Sequence, residues 1–164
     1  MITPSLNSAK SPVIDEIIRQ AELRIEAQLT AALAADQRAM TFAGLLFAGI
    51  AVLLGAEFRA STCSLPIDPV FVIAIGFTLA AACACWSAKP SPWHFAGNFP
   101  ASWNEDVAAE MTLEESRKEM AANFQELLEL NEAQLHRSAS WMRASMVVAL
   151  ASAILGIPLG LFCD

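Results

Sequence analysis

Three stretches of this chain contain no Asp, Glu, Lys, Arg or His, and they limit its fold more than any other feature. They are Ala39 to Ala56, Val70 to Ala88 and Met146 to Cys163, each 18 or 19 residues long. At 1.5 Å per helical residue, each is long enough to cross a hydrocarbon core of about 30 Å. A soluble domain could bury one such run as a central helix. It could not bury three here, because 55% of the 164 residues are hydrophobic and only 16% are charged, leaving too little polar surface to cover them. The expected fold is an all-α integral membrane protein with three transmembrane helices.

The first run follows 38 residues, 18 of them polar or charged, rather than a short basic leader, so it reads as a retained span and not as a cleaved signal peptide. Lys10, Arg19, Arg24 and Arg38 precede it. Only Arg59 lies between spans 1 and 2, whereas Lys89, Arg117, Lys118, Arg137 and Arg143 lie between spans 2 and 3. The Lys/Arg bias therefore predicts an N-terminus and a long second loop on the cytoplasmic side and a C-terminus outside, in a multi-pass inner-membrane protein. Of the four cysteines, Cys83 and Cys85 fall inside span 2 as small apolar residues. Cys63 and Cys163 fall at the outer face, where they either pair or remain two thiols.

The polar segments read as helical extensions of the spans. After a disordered start over 1–11, Ser11 and Pro12 suggest an N-cap and first helical position. Ile14, Ile18, Ala21, Ile25, Leu29, Ala32 and Asp36 then recur at helical spacing, making 12–38 an amphipathic helix that enters span 1 (39–56). An outer loop, 57–69, leads to span 2 (70–88). Three prolines and a Gly-Asn pair exclude a long helix from 89–111, which reads as a cytoplasmic loop. Its Trp93, His94, Phe95, Phe99 and Trp103 suggest packing at the membrane interface or on the helices, or contact with a signal.

Thr112 to Glu115 is a capping-box signature that starts a long cytoplasmic helix over 112–145. Its expected packing face comprises Leu113, Met120, Phe124, Leu127, Leu128, Leu135 and Met142. With span 3 (146–163) it would extend about 75 Å. Helices 1 and 3 would thus continue into a cytoplasmic helical stalk. Asp36 and Arg143 each lie three residues before a span, and the sequence allows either an ion pair or two separate interfacial charges.

Several chemistries lack their usual signals. There are two histidines, His94 and His136, with no HExxH, no CxxC, no phosphate loop and no dinucleotide fingerprint, so no metal or catalytic site and no enzymatic function is expected. No ionisable residue of the usual proton relays falls within a span, which disfavours a conventional pump. The net charge of −7 argues against nucleic acid as a partner. Small residues do align, as Gly44/Ala48 and Ala51/Gly55 in span 1, Ala80/Ala84 in span 2, and Ser152/Gly156/Gly160 in span 3. That spacing lets helices approach closely and suits a homo-oligomer. Pro158, beside Gly156, can bend span 3.

Ala35 to Ala39 leading into span 1, the span pair, and the long helix Asn123 to Arg143 running into span 3 resemble the Pycsar transmembrane effectors and the related SLATT family of bacterial antiphage proteins. The resemblance implies a membrane effector that senses a cytoplasmic nucleotide signal, with a cyclic nucleotide as possible ligand and no other cofactor, and then impairs the membrane. By this likeness Asp36 and Arg38 look like the family's acidic-x-basic element, and Asn131 and Arg143 like the polar and basic positions of its last helix. Together these four would couple stalk to membrane. Gly97 resembles the glycine after span 2, while the Pro-rich Trp93 to Trp103 segment departs from the pattern. That segment, with Trp93, His94, Gly97, Asn98 and Trp103, is the expected signal or interface loop. The competing readings are a membrane-anchored structural or adaptor protein whose stalk binds a cytoplasmic partner, and a small constitutive channel.

Overall fold

The structure is a computed structural model that describes residues 10–60, 69–97, 101 and 103–161. It is helical throughout, with no strand among the described residues: α1 (Ser11–Ala60), α2 (Pro69–Ser87), α3 (Trp103–Ala108) and α4 (Leu113–Leu161). Three of these helices are long and apolar enough to cross a membrane. The proposed disulfide partners Cys63 and Cys163, the loop residue Asn98 and the expected disordered start up to Ala9 lie outside the described residues.

The chain divides into two compact units. One comprises Met1–Ala32 and Ser91–Leu135, the other Leu33–Pro90 and His136–Asp164. Helices α1 and α4 each contribute to both without a break in the helix.

In the first unit, the amphipathic stripe of α1 meets the early turns of α4. Ala21 and Ile25 are buried together with Phe124, and Ile18, Met120, Leu127 and Leu128 complete the contact, while Ile14, one turn before Ile18 on the stripe, is buried as well. Leu113 differs from expectation: it is the first residue of α4 and stays 60% exposed, while the apolar α4 residues packed on the core begin at Met120. The N-cap is also one residue earlier than the Ser11–Pro12 signature suggests. The Lys10 carbonyl accepts from the amides of Val13 and Ile14, which makes Lys10 the residue at the cap.

The expected loop over 89–111 contains the short helix α3. It ends in a Schellman arrangement, with Met111 N–H donating to Asp106 O at 3.0 Å and Glu110 N–H to Val107 O at 3.2 Å. Glu110 has the positive φ of 53° that this ending requires. The capping box then starts α4. Glu115 N–H donates to Thr112 Oγ1 at 3.3 Å, and Glu115 Oε2 accepts from Thr112 N–H at 2.9 Å and from its hydroxyl at 2.7 Å.

In the second unit, the apolar parts of α1, α2 and α4 pack on small side chains. Ala43, Leu46, Ala80, Ala81, Ala84 and Ala149 form the core, joined by Phe42, Phe77, Met142 and Val148. Two serines tie α2 to α4. Ser145 Oγ donates to Ala80 O at 2.6 Å, and Ser87 Oγ to Ser138 O at 2.8 Å. The seven-residue steps from 80 to 87 and from 138 to 145 run in opposite directions, so α2 and α4 are antiparallel.

Most of the apolar surface of this unit points away from the core. Only 17%, 33% and 17% of the most apolar 18 residues of the three helices are buried. Leu45, Val52, Ile75, Val147, Leu150 and Ile154 are each more than half exposed. Such a surface is untenable in water and suited to lipid.

Candidate functional site

The first unit holds a polar latch built on Asn131. This residue is only 1% exposed, on the face of α4 that meets the segment following α2. Its Nδ2 donates to the His94 carbonyl at 2.9 Å, and its Oδ1 accepts from the His94 amide at 3.2 Å. A carboxamide used this way pairs both backbone groups of one residue, as a neighbouring strand would. The non-helical segment Ser91 to Gly97 is thereby held on α4. Gly97 ends the latch with a φ of +93°, a conformation that favours glycine.

The same unit holds buried polar atoms without hydrogen-bond partners. Trp93 Nε1 is buried with no hydrogen bond. Gln28 donates from Nε2 to Leu128 O at 3.2 Å, while its Oε1 is buried and unpaired. Gln28 escaped the sequence reading, although a signal existed: it lies three residues after Ile25, where the apolar stripe calls for a hydrophobic residue. Trp103 is half-buried at the start of α3.

On the same unit, an open cavity of about 300 Å³ lies between α1 and α4, lined by Ile17, Ala21, Phe124 and Leu128 below and by Glu16, Gln20 and Arg24 at the rim. The rim is ordered by charge. Arg19 bonds to Glu16 at 2.6 and 2.8 Å, and Gln20 to Glu16 at 2.8 Å, which holds the Glu16 carboxyl down at about 2. Arg117 pairs with Asp15, Lys118 with Glu114 and Arg24 with Glu132.

The remaining expected coupling residues, Asp36, Arg38 and Arg143, belong to the second unit. Asp36 is half-buried, and burial raises its carboxyl above the usual range. Arg38 and Arg143 are exposed. Asp36 and Arg143 form no ion pair among the described residues. The helix register explains why: Ala43 of α1 and Met142 of α4 share one core. Asp36 precedes Ala43 by seven residues, whereas Arg143 follows Met142 directly, an offset of about 12 Å along the helices.

The expected helix-packing residues divide into two sets. Ala80, Ala84, Ser152 and Gly156 pack within the chain. A Cβ on Gly76 would collide with the Oγ and Cβ of Ser152, and one on Gly156 with the side chain of Ile73, so α2 and α4 meet at glycine distance. Gly44, Ala48 and Gly55 are exposed instead, with nothing near a Cβ built on either glycine, so that stripe is unused inside the chain. Gly160 lies in α4.

Sequence reading also passed over an aromatic and cationic layer in the second unit. The rings of Trp86 and Trp141 lie 6.2 Å apart at 58°, and Lys89 Nζ sits 5.1 Å from the Trp86 ring centre. The signal was a Trp three residues before a Lys at the end of span 2. Among the described residues, no group of three or more His, Cys, Asp and Glu is placed to hold a metal. Compared with protein-family models, curated proteins and solved structures, the chain matches none.

Proposed function

We propose that this protein is a non-enzymatic, homo-oligomeric effector of the bacterial inner membrane that senses a cytoplasmic signal and permeabilises the bilayer in antiphage defence. The signal would be a cyclic nucleotide, as in the Pycsar and SLATT-like effectors that the sequence resembles. What supports the reading most is the continuity of α1 and α4, since the two helices that form the latched polar unit are the same two that enter the apolar unit. A rearrangement at Asn131 and His94 thus has a covalent, helical route to the spans. The polar parts of these helices would form the cytoplasmic stalk, with the C-terminus outside, as the Lys/Arg distribution favours.

The character of the spans supports an oligomer. Within one chain they close on alanines such as Ala80, Ala81 and Ala84, each fully buried, so a conducting path needs several copies. The open Gly44, Ala48 and Gly55 face suits contact between them. With no charge in the spans, hydrophobic gating is the expected mode. An adaptor role is the second reading, favoured by the open cavity above Phe124.

The test is membrane potential in bacteria expressing the chain, with and without a cyclic-nucleotide synthase, with Asp36→Ala as the comparison. Depolarisation that needs the synthase, and is lost in the variant while insertion persists, is expected. Depolarisation without the synthase would favour a constitutive channel. None under either condition, with the protein in the membrane, would favour the adaptor.

A further inference from the structure

The chain has seventeen carboxylates for ten Lys and Arg, yet some of its cations form no ion pair among the described residues. In the first unit Arg19, Arg24, Arg117 and Lys118 all pair with carboxylates. In the second, Arg38, Lys89, Arg137 and Arg143 form no ion pair among the described residues, and Asp36 is the one carboxylate within 33–56, 69–90 and 136–161. The acidic excess is therefore confined to the first unit: thirteen carboxylates and five cations fall in 1–32 and 91–135, against four and five in the rest.

Three of these unpaired cations lie at one level. Gly49 of α1 faces the Phe77 ring of α2, and Ala43 and Leu46 share a core with Ala80, Ala81 and Ala84, so the two helices run antiparallel with Arg38 opposite Ala88. Ser87 is bonded to Ser138, next to Arg137, and Lys89 follows Ser87 by two residues. Trp86 and Trp141 stand in contact beside this layer, 53% and 39% exposed, with Lys89 over the Trp86 ring. The layer sits at the end of three apolar helices. Exposed indoles at that depth favour the bilayer interface, and cations beside them face the phosphate plane.

We propose that Arg38, Lys89 and Arg137, framed by Trp86 and Trp141, bind the phosphate groups of anionic phospholipids in the leaflet that meets this end of the helices. The chemistry on offer is three exposed cations with no ion pair among the described residues and two amphipathic rings. A lipid satisfies both at once, because its phosphate meets the cations while its glycerol and upper acyl chains lie on the indoles. A soluble phosphate would meet only the cations. The inference rests on the helices spanning a membrane and does not require the effector reading.

The test uses the full chain in phosphatidylcholine vesicles, in a Trp93→Phe/Trp103→Phe background, so that Trp86 and Trp141 alone report. Quenching by brominated phosphatidylglycerol is compared with quenching by brominated phosphatidylcholine, which also verifies insertion. A preference for the anionic lipid is expected, and Lys89→Gln/Arg137→Gln should reduce it by roughly fivefold per cation, about thirtyfold together. Equal quenching by both lipids would overturn the proposal, as would an unchanged preference in an inserted variant. Loss of the preference on adding inorganic phosphate, but not chloride at equal ionic strength, would assign the layer to soluble anions instead. Because no conductance is read, lipid selectivity without depolarisation in cells would refute the effector reading alone.

Discussion

Asn131 holds His94 by both of its backbone polar groups, giving the irregular segment after α2 a fixed seat on α4. A buried carboxamide satisfied at both ends is a strong local constraint, because no water replaces a lost partner.

Asn131→Ala should therefore strand the His94 amide and carbonyl and destabilise the first unit by about 1–3 kcal/mol. Faster hydrogen exchange at the His94 amide, with a lowered thermal midpoint in detergent, would register it. Asn131→Asp keeps the acceptor but loses the donor, and should be at least as damaging, since it also buries a carboxylate. An unchanged exchange rate in either variant would show that the segment is held by other contacts.

Close helix approach should be sensitive at one glycine and indifferent at another. Gly76→Ala pushes a methyl into the Cβ of Ser152, which no rotamer change can move away, at a cost on the order of 1–3 kcal/mol. Gly44→Ala enters open space and should leave monomer stability unchanged or slightly raised. Unfolding of the two variants side by side in the same detergent separates these outcomes.

Glu110 adopts a left-handed conformation that costs a residue with a Cβ on the order of 1 kcal/mol. Glu110→Gly should recover most of that and raise the unfolding midpoint, with the Schellman bonds of Met111 and Glu110 intact. A fall in stability would mean that the Glu side chain contributes more than the backbone strain removes.

Acid should act through Glu16 and Asp36 with opposite signs. Glu16 is held at about 2 by hydrogen bonds from Arg19 and Gln20, so its contribution is present above the ordinary value of 4.5 and is lost as pH falls toward 2. Glu16→Gln should flatten the acid limb of helix content measured by circular dichroism over that range. The effect should be small and weakened by salt, because the pair is exposed. Asp36 is raised by burial, so its ionisation opposes folding above its raised value, and the penalty vanishes below the ordinary 3.8. Asp36→Asn should accordingly stabilise the chain at neutral pH and make no difference in strong acid.

Much of the architecture was legible because it depends on local chemistry. The Ile14, Ala21 and Ile25 stripe faces inward as its period requires, and the Thr112 and Glu115 caps form as their spacing requires. The short helix α3 was hidden by the prolines around it, which exclude a long helix but not a six-residue one. Leu113 was assigned to a packing face by period alone, and the structure leaves it exposed.

Sequence by itself determined the three apolar helices, their approximate limits and the amphipathic face of α1, since hydrophobic length and period act along a single chain. Tertiary structure alone decided which polar groups meet. It placed Asn131 on His94, 37 residues away, and Ser145 on Ala80, 65 away. It also separated Asp36 from Arg143, although both stand three residues before a span, and aligned Arg38 with Arg137. The physical reason is axial register: small residues such as Ala43 and Ala80 let the helices come close, and the side chains around them fix the one offset at which they interlock.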